Sequence, residues 1–287
     1  MKALGHVEAM RATLIREMRA DEKIILLSAG ATELGQSLIR EFGSDRIRGT
    51  ALDSPAIAGA ALGAAQAGLR PVVELQTTAA LTNAAPLLER IPKTASSIVF
   101  WLRPSTDAIF AADGWLAATS PAVVAFPATP AEAFGYMAAA LHHQGGAVLL
   151  LDHPALAGMA QAAPQEPKVF GEATIKRAGS DLTLVSCGPA VSAGLAAAEH
   201  LDKNGQISVE IVALGTLRPL DTTSVLRSLR KTGRLLLAAP AFAANELAQI
   251  VKAINEQGFD DLDAPIRQID ELDEATLAAA LSRLASE

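Results

Sequence analysis

The chain has 287 residues, 50% hydrophobic and 19% charged, with a formal net charge of −7 and a pI of about 5.3. That length and that much apolar material fit two ordinary domains with large cores and exclude global disorder. The acidic balance, without any Lys/Arg cluster, argues against a nucleic-acid partner, because phosphate binding needs concentrated positive charge.

The N-terminus, MKALGHVEAMRATLIREMRADEK, is charged and amphipathic and has no secretory apolar block. No apolar run approaches the roughly 20 residues of a membrane span. The expectation is a cytoplasmic chain with no membrane partner. The single Cys187 excludes an internal disulfide and a Cys-based metal cluster, and reads as a buried small apolar residue. The five histidines, His6, His142, His143, His153 and His200, are scattered and no pair has metal-binding spacing, so no metal ligand set is assigned.

Val7–Arg19 carries Val7, Met10, Leu14 and Met18 at helical spacing and predicts a surface helix. Lys23–Ser28, KIILLS, reads as a buried parallel strand. Ser37–Phe42 reads as helix, and Ile47–Leu52 leads into a helix of small residues, Ala56–Ala67. Then follow strand Pro71–Gln76, helix Ala79–Ile91, strand Ser97–Leu102, a helical piece at Trp115–Thr119, strand Ala122–Phe126, helix Ala131–His142 and strand Ala147–Leu151. Strands alternating with helices imply an α/β domain with a mostly parallel sheet covered on both faces.

Residues 154–168, PALAGMAQAAPQEPK, hold three prolines and no clean period, and read as a linker between domains 1–153 and 169–287. The second domain repeats the alternation. Its strands are Asp181–Cys187, Ser208–Leu214, Arg234–Ala238 and Ile266–Ile269; its helices are Ser192–Asn204, Thr223–Thr232, Ala243–Gln257 and Ala275–Ser286. The acidic stretch 260–274 reads as a solvated loop and cap.

Two blocks carry a resemblance. Residues 49–76, GTALDSPAIAGAALGAAQAGLRPVVELQ, run from a strand end through the small-residue helix to a second strand. Residues 171–201, 205–221 and 231–241 give strand, Gly turn, helix, strand, a Pro-Leu-Asp corner and a Lys-Thr-Gly-Arg strand entry. Together with FGSDRIRGTALD at 42–53, they resemble the thiamine diphosphate enzymes, most closely the beta subunit of the 2-oxo acid dehydrogenase first component. The resemblance implies a pyrimidine-binding domain followed by a transketolase-type C-terminal domain. It also implies thiamine diphosphate with Mg²⁺ shared with an alpha-type partner that holds most of the diphosphate, in a homo- or hetero-oligomer.

Departures gather where the family meets its cofactor and substrate. The family glutamate before the small-residue helix, which protonates the aminopyrimidine, falls on Ser54, with Asp53 beside it. The family aromatics after the strand ending in Glu74 are replaced by Gln76, Thr77, Thr78, Ala79 and Ala80. The family's substrate histidines correspond to Pro104 to Ile109, which contain none. The connection between Ile91 and Ser97 is shorter, and an acid and an arginine expected around 213–215 are Ala213 and Gly215.

Two readings of Asp53 stand open. A carboxyl there replaces the glutamate if the turn shifts by one residue, since activation needs a proton-exchanging group that a serine hydroxyl is not. Otherwise Asp53 and Ser54 cap the helix, with Pro55 in its first turn. The candidate cofactor contacts are Gln76, Thr77, Thr78 and Ile109. The function expected is a divergent beta-type subunit contributing the pyrimidine side of the site; the alternative is a catalytically dead scaffold or regulatory subunit.

Overall fold

The computed structural model describes residues 3–29, 32–50, 54–77, 97–103, 122–161, 166–205 and 207–287, with 82, 85, 86, 88, 91, 116 and 119. The chain forms two compact units, Met1–Val169 and Phe170–Glu287. Both are α/β. Among the described residues no helix is long and apolar enough to cross a membrane.

The first unit contains β1 (Leu4–Gly5), α1 (His6–Ala20), β2 (Ile24–Ala29), α2 (Glu33–Phe42), β3 (Ile47–Thr50), α3 (Ser54–Gln66) and β4 (Arg70–Leu75). It continues with β5 (Ile98–Leu102), β6 (Val123–Ala125), α4 (Pro130–His142), β7 (Ala147–Leu151) and β8 (Ala160–Gln161). Its main strands lie in the order β6-β7-β5-β4-β2-β3, every neighbouring pair parallel. Strand β5, IVFWL, is buried along its whole length, as a parallel strand covered on both faces must be. Helix α1, which buries Met10, Leu14 and Met18, packs on α4, and the Thr13 hydroxyl donates to the Phe134 carbonyl at 3.3 Å. Helix α4 starts where the sequence says it should: Thr129 caps it by accepting from Glu132 N–H at 3.2 Å, Pro130 opens the first turn, and the Glu132 carboxylate accepts from Ala128 N–H at 2.8 Å.

Residues 154–168, expected as a linker, belong to the first unit where they are described. Pro154–Leu156 forms a 3₁₀ turn, and Ala160–Gln161 pairs with β1. Lys168 N–H donates to the Gly135 carbonyl at 3.1 Å, and a Cβ at Gly135 would lie 2.7 Å from the Glu166 carbonyl oxygen. Pro154 opens the 3₁₀ turn, and the missing side chain at Gly135 on α4 lets the segment 166–168 dock.

The second unit has a five-stranded sheet in the order β14-β13-β10-β11-β9, with β9 (Thr174–Arg177), β10 (Leu182–Cys187), β11 (Val209–Leu214), β13 (Leu235–Ala238) and β14 (Arg267–Ile269). A short strand β12 (Thr216–Arg218) follows β11. Strand β9, for which no strand was expected, pairs antiparallel with β11; the other pairs are parallel. Helices α5 (Ala190–Gly205), α6 (Thr222–Thr232), α7 (Ala244–Gln257) and α8 (Glu274–Ala285) complete the unit. Cys187 is fully buried, and burial pushes its thiol up to about 12, so it packs and does not react.

Asp221 caps α6 by accepting from Ser224 N–H at 2.9 Å, and its other oxygen accepts from Ala173 N–H at 2.9 Å. Burial pushes its pKa up, but the bonds from Ser224 and Ala173 and the charge of Arg227 together outweigh burial and hold it low. A depressed folded pKa means the cap stabilises above the ordinary aspartate value and is lost as pH falls through the folded one. Asp221→Ala is expected to cost about 1 kcal/mol near neutral pH. Denaturant melts at stepped pH should show that deficit shrinking in acid; a deficit independent of pH would contradict it.

Candidate functional site

In open parallel sheets, ligands bind beyond the carboxyl ends of the strands, where the strand order reverses. Here β2 leads outward to β3, and the chain then returns to the other side of β2 as β4. A crevice of about 340 Å³ sits at this edge, lined by Thr32, Glu74, Gln76, Arg103, Asp152 and His153 among others.

Glu74, in β4, is buried, and both its oxygens are taken. Oε2 accepts from the Thr32 hydroxyl at 2.6 Å, and Oε1 accepts from Arg103 Nη1 at 2.5 Å. Thr32 holds this position because it is also the N-cap of α2, accepting from Gly35 N–H at 3.1 Å. Arg103 follows β5 and lies over the Trp101 ring, 4.9 Å from its centroid, a cation–π contact that fixes the guanidinium plane.

A second cluster closes the other wall. Asp152, just past β7, has Oδ1 2.9 Å from His6 Nδ1. His6 Nε2 lies 3.3 Å from the Pro127 carbonyl oxygen. His6 is fully buried at the start of α1, so it ties that helix to the ends of β6 and β7. In the neighbouring His153, Nδ1 accepts from Ala155 N–H at 3.2 Å, which in the neutral ring leaves the proton on Nε2.

The expected site residues fall unevenly on this geometry. Gln76 lines the crevice, and Thr77 beside it is exposed. Ser54 is the first residue of α3. Asp53, Thr78 and Ile109 lie outside the described residues. Thr32, Arg103, Asp152, His153 and His6 were not singled out from the sequence. A signal existed: Arg103 and Asp152-His153 are charged or polar residues directly after the all-apolar runs IVFWL and AVLLL, where a buried parallel strand delivers its side chains to the sheet edge.

Residues 171–285 match the family described as the transketolase C-terminal domain. The chain is 33% identical over 292 residues to the pyruvate dehydrogenase E1 component subunit beta of Rhizobium meliloti (strain 1021), covering 91% of the chain but 62% of that subunit's length. It is 32% identical over 291 residues to the subunit of the same name in Rickettsia felis, covering 90% of the chain and 86% of that subunit. The chain belongs to the E1 beta-subunit family. The chain is also similar to the 2-oxoisovalerate dehydrogenase subunit beta of Bacillus subtilis (strain 168), with 28% identity over 94% of the chain and 89% of the relative. The E1 beta fold is also that of a split-gene transketolase solved as an inactive beta4 tetramer, with a TM-score of 0.79 at 18% identity, covering 99% of this chain and 98% of that one.

Proposed function

We propose that the chain is a beta-type subunit of a thiamine diphosphate-dependent 2-oxo acid dehydrogenase-like complex, active only beside an alpha-type subunit that carries the diphosphate and Mg²⁺. The observation that carries this is the E1 beta relationship running through nearly the whole chain, 90% of it in the Rickettsia felis comparison. Gln76 and Thr77 after β4, and the start of α3 at Ser54, would face the pyrimidine.

The described crevice does not itself fit activation of that cofactor. An aminopyrimidine asks for a carboxyl group able to exchange a proton and for an aromatic face. Glu74 has both oxygens engaged, Asp152 is set against His6, and no Phe, Tyr or Trp is among the described lining residues. This favours a second reading, a scaffold or regulatory subunit that keeps the fold without the chemistry. Asp53 separates the two. If the complex decarboxylates a 2-oxo acid, Asp53→Asn should abolish turnover with the fold intact, because an amide exchanges no such proton. If the wild-type complex has no turnover, the substitution should cost about 0.5 kcal/mol or less, since Asn also caps helices. In that case Ser54→Glu alone should not restore activity.

Both readings need association. On α3, Ala56, Ala60, Gly63 and Gln66 are exposed, and added Cβ atoms at Gly59 and Gly63 would meet nothing within 4 Å. A smooth apolar helix face of this kind is what an interface covers. Ala60→Arg should therefore lower the assembly mass in sedimentation while leaving the circular dichroism unchanged; an unchanged mass would remove α3 from the interface.

A further inference from the structure

We infer that a basin in the second unit binds a 2-amino acid as its zwitterion, with the carboxylate on Arg234 and the ammonium group on Asp263 and Asp260. The site goes beyond the E1 beta reading and uses none of the residues placed on the cofactor side.

The basin, of about 670 Å³, lies at the amino ends of β10, β11 and β13, the edge opposite the one where open parallel sheets take their usual ligands. It is built around the Lys-Thr-Gly-Arg entry to β13, and the fold uses three of those four residues. Lys231 pairs with Glu210. The Thr232 hydroxyl donates to the Ser228 carbonyl at 3.1 Å and shares a hydrogen bond with Thr183 at 2.8 Å. Gly233 caps α6 in the left-handed region, at φ 67°, and its carbonyl accepts from Asp263 N–H at 2.7 Å.

Arg234 is the exception. Its side chain is 28% exposed and its Nε is buried, yet among the described residues it donates no hydrogen bond. Asp263 Oδ2 lies 3.9 Å from its Nη1, beyond hydrogen-bond reach. A largely buried guanidinium with its donors free is costly unless an anion meets it.

The acids of the basin divide in the same way. Asp181 accepts from the Ser180 hydroxyl at 2.9 Å and from Ser208 N–H at 2.8 Å, and Asp261 accepts from Arg230 Nε at 3.2 Å. The exposed carboxylates of Asp260 and Asp263 accept no hydrogen bond from a described residue. The unspent groups are therefore one cation and two anions. A lone phosphate or dicarboxylate meets net negative charge here, and a simple amine leaves Arg234 unmet. A 2-amino acid carries its carboxylate and its ammonium group on one carbon, so a single small molecule spans the 3.9 Å gap with charge-assisted bonds at both ends. Ile207 and Ala285 are the only apolar side chains among the described lining residues, so the side chain of the ligand is short or polar.

The test is calorimetric titration of the full chain with L-serine and with L-glutamine, each against its methyl ester and its N-acetyl derivative, and against glucose and inorganic phosphate. At least one amino acid should saturate in the millimolar range. Its ester and its N-acetyl derivative should each bind at least about tenfold more weakly, because each lacks one of the two charges. Arg234→Gln keeps a donor but removes the cation, and should weaken binding at least about tenfold. Asp263→Asn, at an exposed position, should weaken it several-fold and remains informative if Arg234→Gln does not fold; circular dichroism shows which variants fold. The inference is overturned if neither amino acid binds, if a derivative, glucose or phosphate binds as tightly as the amino acid, or if the variants that fold bind like the wild type. Every lining residue belongs to the second unit and the titration uses neither cofactor nor partner subunit, so its failure leaves the E1 beta reading standing, and failure of that reading leaves the titration interpretable.

Discussion

Arg103→Met is expected to destabilise the first unit by about 3 kcal/mol, because it strands a buried carboxylate. The Glu74 side chain is 1% exposed and that of Arg103 25%, so the pair is screened far less than a surface salt bridge. Among the described residues, removing the arginine leaves Glu74 with only the Thr32 hydroxyl, and it also loses the contact with Trp101, worth about 0.5–1 kcal/mol. Glu74→Gln on top of Arg103→Met should recover most of the deficit, since a neutral amide costs far less to bury than an unpaired charge. The measurement is a double-mutant cycle by chemical denaturation. Losses that simply add would mean the pair is not coupled and the crevice wall is held by packing.

Legibility differed between fold and site for a physical reason. Elements defined by period were readable almost to the residue. The strand expected at Ala147–Leu151 is β7, and helix α6 starts one residue before the expected Thr223. Strand β7 has its own apolar run, and α6 its own apolar stripe and its Asp221 cap. Helix α2 begins at Glu33, four residues before the expected Ser37, because its start is set by the Thr32 cap and not by an apolar residue. Strand β9 has a half-exposed face, so Thr174–Arg177 shows no apolar run to read.

The crevice was far less legible. Its lining comes from five places along the chain, at Val7, Thr32, Glu74 with Gln76, Arg103 and Asp152-His153. None forms a local motif. They meet because parallel strands of one sheet end at one edge, so only the strand order assembles them. The resemblance named Gln76 at the end of β4, which lines this crevice. It could not show that Glu74 is spent inside the protein, because its partners Thr32 and Arg103 lie on other segments.

The same dependence on remote backbone makes Gly179→Ala the most damaging small substitution expected in the second unit. Gly179 lies in the turn before β10, where Ser180 and Asp181 N–H both donate to the Ser208 carbonyl, at 3.1 and 2.9 Å. That turn lies flat on the start of β11. A Cβ at Gly179 would sit 2.1 Å from Glu210 N and 2.2 Å from the Val209 carbonyl carbon. No side-chain rotation relieves this, since both atoms belong to the backbone of β11, which β10 and β9 pair on its two sides. The turn must lift, and the Ser208 bonds and the Gly179 N–H contact with Glu210 weaken together. The expected cost is about 3 kcal/mol, at the upper end for overpacking because backbone gives less than side chains do. Hydrogen exchange should quicken first in β9 and at the start of β11. Gly63→Ala on α3 is the control: its Cβ would meet nothing within 4 Å, so in the isolated chain it should gain about 0.5–1 kcal/mol from helix propensity. If Gly179→Ala were as benign as Gly63→Ala, the turn would not rest on β11 as described.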